Sequence, residues 1–247
     1  MKKIAKMLAG VLCMAVAIRG ETVEVAYRVS FGILGEIGIA KAHIERDQER
    51  YRIQIEGIST GFARTLSRNR QEKQISEGHI VKGVLLPDRY IVLRTFANKI
   101  IRKSYTINHL DKSVVRLVEK RENGRLVFKE KKRLNFYAPN DLLTLYFNLA
   151  ELIPDKERGA SYRFRALGAE KQGGDVEVVV ADRERRALYA KELGSGGYWY
   201  LTAIIHQKIF SSSRGELMLS VDDKGITQKA ILKDVLLFGD IRAVRIR

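Results

Sequence analysis

Four histidines, His43, His79, His109 and His206, are the first residues to test for chemistry, because imidazole is both a general base near neutral pH and a common metal ligand. They are well separated and sit in strand-like contexts. There is no His-Glu-x-x-His pair, no Cys/His cluster and no carboxylate run at calcium-loop spacing, so no metal site and no cofactor is expected. His206 in "AIIHQKI" reads as a hydrogen-bonded strand residue, and His79, beside Gly78, as a turn-edge residue. A Gly-x-Ser-x-Gly nucleophile elbow is absent, and "SSSRG" at 211–215 has the composition of a turn. Asp141, Glu151, Asp175 and Asp182 are the carboxylates from which an acid/base pair for glycoside hydrolysis could be drawn, but only the fold could bring two of them together. Asp141 also has a simpler role, as an acid favoured by a helix N-terminus. The segment "GAEKQGGD" lacks the lysine and hydroxyl of a phosphate-cradling loop.

Two features suit binding better than catalysis. The stretch "YAPNDLLTLYFNLAELI" reads as a helix started by Pro139 with Asn140 or Asp141 and closed by Pro154. Thr144, Asn148 and Glu151 form one narrow polar stripe, expected to face solvent. Leu142, Leu143, Leu145, Tyr146, Phe147, Leu149, Leu152 and Ile153 cover the rest, so most of the helix must be buried. Burial against the concave face of a curved sheet makes it a fixed plug; an incomplete fit makes it a lid over space for an acyl chain. Leu142, Leu145, Tyr146 and Leu149, with Trp199 of "YWY", are the candidate apolar ligand contacts.

The second feature is a basic hairpin. Arg116, Lys120, Arg121, Arg125, Lys129, Lys131, Lys132 and Arg133 stand against Glu119, Glu122 and Glu130, an excess of five positive charges around Asn123-Gly124. That pair favours the positive φ angles of a type I′ turn. Arg121, Arg125, Lys129, Lys131, Lys132 and Arg133 are the candidate contacts to phosphates of lipid or lipopolysaccharide. The same lysines would also protect an edge strand from unwanted pairing.

The elements that position these residues are mostly strands. "TVEVAYRVSFGI" and "YRIQIEGIS" alternate with period two, which puts Val23, Val25, Tyr27 and Val29 on one face and Tyr51, Ile53 and Ile55 on another. Similar runs continue to "ITQKAILKDVLLF" near the end. "GSGG" at 194–197 reads as a loop inside the sheet or a hinge. Only three prolines occur, without a linker or an internal repeat, so residues 21–247 are expected to form a single β-rich domain. The expected fold is mainly β: a large curved antiparallel sheet, or an open or closed β-barrel-like domain, with one inserted, largely buried α-helix over about 140–153.

Residues 1–20, "MKKIAKMLAGVLCMAVAIRG", have the layout of a secretory signal peptide: Lys2, Lys3 and Lys6 precede an apolar run too short to span a bilayer. Cleavage is expected after Ala17 or Gly20. Cys13 follows Leu12, where a lipobox needs a small residue, so a lipid anchor is not expected. The chain carries +16; without its first 20 residues 41 basic and 29 acidic residues leave +12. For an exported protein that surplus points to anionic envelope components rather than nucleic acid.

Three segments, "SEGHIVKGVLLPDRYIV", "APNDLLTLYFNLAEL" and "VDDKGITQKAILKDVLLFGDIRAVRI", resemble an exported bacterial family of unknown function, domain of unknown function 3108. The resemblance implies an exported, β-rich protein with an inserted helix, and no established activity. The expectation is a non-enzymatic periplasmic protein, without a transmembrane span in the mature chain, that binds or escorts an apolar or amphiphilic envelope component. The alternatives are a module docking on a protein or anionic membrane surface through the basic hairpin, and an envelope hydrolase with an unrecognised site.

Overall fold

The computed structural model describes residues 21–61, 64, 69–206, 214–235 and 239–247, with the side chains of residues 171, 205, 206, 214 and 234 left out. The segment read as a signal peptide and residues 211–213 of the "SSSRG" turn lie outside the described residues. The first half of the chain supplies β1 (Glu21–Phe31), β2 (Glu36–Arg46), β3 (Arg50–Ser59), β4 (Gln71–Val81), β5 (Val84–Phe96), β6 (Lys99–Asn108), β7 (Ser113–Glu122) and β8 (Arg125–Arg133). The second half supplies β9 (Asn140–Asp141), helix α1 (Leu142–Leu152), β10 (Ser161–Leu167), β11 (Asp175–Val180), helix α2 (Arg183–Leu193), β12 (Trp199–His206), β13 (Arg214–Val221), β14 (Thr227–Val235) and β15 (Gly239–Arg245).

Among the described residues the strands form one sheet in the order β8-β7-β6-β5-β4-β3-β2-β1-β15-β14-β13-β12-β11-β10-β9. Each hairpin places a strand beside its predecessor. The one long-range join is β1 with β15, where Tyr27 faces Arg245 and Phe31 faces Ile241. Every pair is antiparallel except the short β9–β10 contact. The sheet stays open, with β8 at one edge and β9 at the other.

Turn chemistry explains the meander. Asn123 and Gly124 have φ of 50° and 76°, as a type I′ turn requires, and Lys82-Gly83 repeats the geometry at 51° and 82° without the Asn signature. Gly78 lies at a bulge opposite Pro87, where a Cβ would collide with the backbone oxygen of Leu86.

Alternation then sorts the side chains. Tyr51, Ile53 and Ile55 point inward with Tyr90, Val92, Tyr105, Ile107 and Val114, and Leu143 of α1 packs among them. Leu145, Leu149 and Ile153 of the same helix pack instead against Val176, Val178, Trp199, Leu201 and Leu219. α1 therefore fills the inner face and bridges the two halves of the sheet, burying side chains that contribute about 1.5 to 3 kcal/mol each.

Two features depart from the expectation. α2 is a second helix, capped by Asp182, whose carboxylate accepts from the Arg185 N–H at 2.7 Å, and ended at Gly194. It is polar on most sides because it covers only a small part of the outer face, resting Tyr189, Ala190 and Leu193 on Tyr200, Met218 and Ile231. "GSGG" is the tight link from α2 into β12, where a Cβ at Gly197 would sit 2.6 Å from the Ser220 hydroxyl. The other departure is the polar stripe of α1. Thr144 and Asn148 are 0% and 1% exposed, and only Glu151 of the three faces solvent.

Candidate functional site

The site is built around α1. Pro139 is followed by Asn140 and Asp141, which pair in parallel with Ala166 and Leu167 of β10 before the chain turns into the helix. Asp141 Oδ1 accepts from the N–H groups of Leu143 (2.8 Å) and Thr144 (3.0 Å), while the Asp141 N–H donates to Thr144 Oγ1 at 2.9 Å, a reciprocal cap. Asp141 Oδ2 accepts from the Ser76 hydroxyl at 2.5 Å. That uses the only hydroxyl proton of Ser76, so the Tyr51 hydroxyl, 3.1 Å away, donates to Ser76. Burial pushes the Asp141 carboxyl up to about 6, against the opposing pull of the hydrogen bonds from Ser76, Thr144 and Leu143. Ser76 and Asp141 are both wholly buried, so this pair can hold a proton but presents no nucleophile to a substrate.

Asn148 explains why the polar stripe turns inward. The Leu85 N–H donates to Asn148 Oδ1 at 2.9 Å, and Asn148 Nδ2 donates to the Leu85 carbonyl (2.9 Å) and to Asn140 Oδ1 (3.0 Å). The β5–β6 register begins only at Arg89, so the backbone of Leu85 has no strand partner on that side. The Asn148 amide takes that place, as one residue of an antiparallel neighbour would. On the next side of the helix the Tyr146 hydroxyl accepts from the Thr227 N–H at 2.7 Å and lies 2.7 Å from Thr227 Oγ1. At the C-terminal end Lys156 Nζ donates to the carbonyls of Ala150 (3.0 Å) and Ile153 (3.3 Å) and stands 5.7 Å over the Trp199 ring. Held to β4, β5, β14 and its own C-terminus, α1 is a plug tied to both halves of the sheet.

The plug does not fill the interior. Between α1 and β11–β13 lies a cavity of about 320 Å³, lined by Leu142, Leu145, Tyr146 and Leu149 and by Val176, Val178, Leu201, Ala203, Ile204, Leu217 and Leu219. Gln74, Gly168, Ala169 and Gln172 complete it. Among the described residues no charged side chain lines it. Gln74 is already engaged, accepting from the Tyr90 hydroxyl at 2.7 Å and donating to Glu72 at 3.0 Å. Such a space, mostly apolar with Gln74, Gln172 and Tyr146 in its wall, can take up hydrocarbon.

Four of the five apolar candidates, Leu142, Leu145, Tyr146 and Leu149, thus share one cavity. Trp199 does not line it; it is 2% exposed inside the packed cluster below Leu145 and Leu149. The opposite wall went unrecognised in the sequence, although the alternation of Val176, Val178 and Val180 shows which face of β11 points inward. The partners of Asp141 and Asn148 had no local signal at all.

The basic candidates divide between faces. Every position of β8 is exposed. Lys129, Lys131 and Arg133 lie opposite Glu119, Leu117 and Val115 on the outer face, while Lys132 lies opposite Arg116 on the inner one. Arg121 and Arg125 flank the turn. Three of the histidines serve as structural ties, and the side chain of His206 lies outside the described ones. His43 lies 2.8 Å from Glu45, which raises its pKa, and His79 lies 3.1 Å from Asp88. His109 Nε2 donates to the Pro87 carbonyl at 2.9 Å, and its Nδ1 lies 2.7 Å from the Tyr137 hydroxyl. Two of the four candidate carboxylates share α1, at opposite ends of it, and the other two sit on β11 and at the start of α2. Asp141 begins α1 and Glu151 ends it, Asp175 pairs with Arg165, and Asp182 caps α2. Among the described residues no group of three or more His, Cys, Asp or Glu is placed to hold a metal ion, and no helix is long and apolar enough to cross a membrane.

No protein-family model matches the chain, and no curated protein matches it. One solved structure with a similar fold is a β-barrel-like protein of domain of unknown function DUF1849 from Brucella abortus, at a TM-score of 0.51 and 11% identity, covering 93% of this chain and 97% of that one. At that identity the likeness concerns the fold alone, and it does not single out domain of unknown function 3108. The chain thus has a β-barrel-like architecture, with its sheet left open among the described residues.

Proposed function

We propose that this is a non-enzymatic protein, exported to the periplasm, that binds or escorts an apolar or amphiphilic component of the cell envelope in the cavity beside α1. The observation that carries the reading is that cavity: about 320 Å³ of apolar space next to a helix whose own polar groups are already satisfied. The cavity's largely apolar lining, reached past the exposed Leu142 and Gly168, supports a hydrocarbon occupant. Export rests on the signal-like residues 1–20. Native mass spectrometry of the purified mature protein, followed by solvent extraction, tests the binding. A lipid adduct that fills the cavity is expected; protein that is always empty and takes up no envelope lipid would overturn the reading.

A second reading is favoured by β8, an edge strand exposed along its whole length with Lys129, Lys131 and Arg133 on one face. It makes the hairpin a docking surface for an anionic membrane. Co-sedimentation with anionic vesicles at low salt tests it: reversal of these three charges should release the protein, and unchanged sedimentation would remove the reading.

A further inference from the structure

We infer that the cavity takes a single-chain amphiphile with an anionic headgroup, its alkyl tail beside α1 and its headgroup on the inward-facing cations of β5–β8. The inference rests on the reading above that the cavity binds a ligand, and adds the ligand's chemistry and orientation.

The sheet register supplies the geometry. Gln74, at the cavity wall, is the Cα partner of Val92, and Val92 is the partner of Lys103. Neighbouring strands lie about 4.8 Å apart, so Lys103 stands about 10 Å from Gln74 on the same face. In the flanking rows Tyr90 leads across Tyr105 to Arg116 and Lys132, and Arg94 leads across Ile101 to Lys120. Besides Lys99, which is paired with Glu122 at 2.7 Å, five cations, Arg94, Lys103, Arg116, Lys120 and Lys132, therefore share the inner face beyond the cavity. Three acids stand among them: Glu72 binds Arg94, Glu130 binds Arg116, and Glu170 is hydrogen-bonded to Tyr105. The balance is positive.

Arg116 adds a specific mark. Its Nη2 donates to Glu130 at 2.9 Å, but its Nε is buried without a hydrogen-bond partner. A buried guanidinium donor left unpaired is costly, and a carboxylate or phosphate oxygen is the acceptor that best matches it. The cavity wall offers no charged partner for such a group among the described residues. Its two exposed lining residues, Leu142 and Gly168, lie together near Tyr90: a Cβ on Gly168 would sit 2.8 Å from the Leu142 side chain and 3.3 Å from the Tyr90 hydroxyl. Tail and headgroup sites thus meet at one rim. A volume of about 320 Å³ is about ten water-sized volumes. A methylene group is of comparable size, so the space suits one medium-length chain and not two.

Calorimetric titration of the purified chain with dodecanoate, dodecyl phosphate and dodecanol, all below their aggregation concentrations and at low ionic strength, tests the inference. At least tenfold tighter binding of one of the two anions than of dodecanol is expected, and the larger advantage identifies carboxylate or phosphate as the headgroup. Lys103→Gln combined with Lys132→Gln should reduce that advantage at least fivefold while leaving dodecanol affinity unchanged; the outer-face pair Lys129→Gln with Lys131→Gln should leave it intact. Equal binding of dodecanol and both anions overturns the headgroup assignment but leaves the cavity reading standing. An anion advantage that survives the inner-face pair overturns the placement. If none of the three binds, the cavity reading itself fails.

Discussion

Replacing Asn148 by Ala tests how α1 is seated. As an exposed residue of a helix, Asn148 would lose under about 1 kcal/mol on truncation. In the structure it is 1% exposed and makes three hydrogen bonds, two to the backbone of Leu85 and one to Asn140. Alanine would leave the Leu85 N–H, the Leu85 carbonyl and the Asn140 side-chain oxygen without these partners, at about 1 to 3 kcal/mol for each buried group. A water entering the vacated space would recover part of this, so the expected loss is about 3 to 6 kcal/mol. Urea denaturation at pH 7, followed by far-UV circular dichroism and tryptophan fluorescence, measures it through the midpoint at unchanged slope. Asn148→Asp sharpens the result. The carboxylate keeps one acceptor for the Leu85 N–H but faces two oxygens, so it should be at least as damaging as alanine at pH 7 and recover as it protonates. A loss under about 1 kcal/mol for Asn148→Ala, with coincident transitions, would refute the placement of α1 against β5.

Asp141 gives stability a pH dependence of unusual sign. Its carboxyl sits near 6 in the folded chain against 3.8 for the free group, so the folded state holds the extra proton between these values and stability falls as pH rises through that window. The full effect is about 3 kcal/mol, at 1.36 kcal/mol per pH unit. Asp141→Asn should remove it, so wild type should gain on the variant by most of that amount, about 2 kcal/mol, between pH 7 and pH 4; parallel urea curves at the two pH values would contradict it. Leu149→Ala should lose about 2 to 3 kcal/mol, the low end for a buried leucine, because part of its surface already faces the cavity; a differential scan of the empty protein checks it. Gly78→Ala should destabilise by about 3 kcal/mol or more, read as a lowered melting temperature, because its Cβ would meet backbone at the bulge opposite Pro87. Reversing Lys129, Lys131 and Arg133 should shift the melting temperature little, since every position of β8 is exposed.

Local physics alone carried much of this molecule. Alternation at Tyr51, Ile53 and Ile55 exposes the inner face of β3, because a strand shows its two sides in turn whatever lies opposite. Asn123-Gly124 marks its hairpin because positive φ is a property of those residues themselves. Pro139, Asp141 and Pro154 bound α1 for the same reason, and its excess of apolar residues demands burial without saying where. α2 escaped notice because a helix resting on only a few outer-face residues needs no apolar stripe. Other features depend on residues far apart in the chain. Asn148 turns inward because backbone 63 residues away lacks a partner, and Ser76 meets Asp141 across 65 residues. Whether the sheet closes depends on the β1–β15 join and the edges it leaves at β8 and β9. The cavity is lined by α1 on one side and β11–β13 on the other, so its walls come from segments that meet only in the folded chain. Periodicity and turn propensity are written in neighbouring residues; the satisfaction of buried polar groups, and the space left between surfaces, arise only when the chain meets itself.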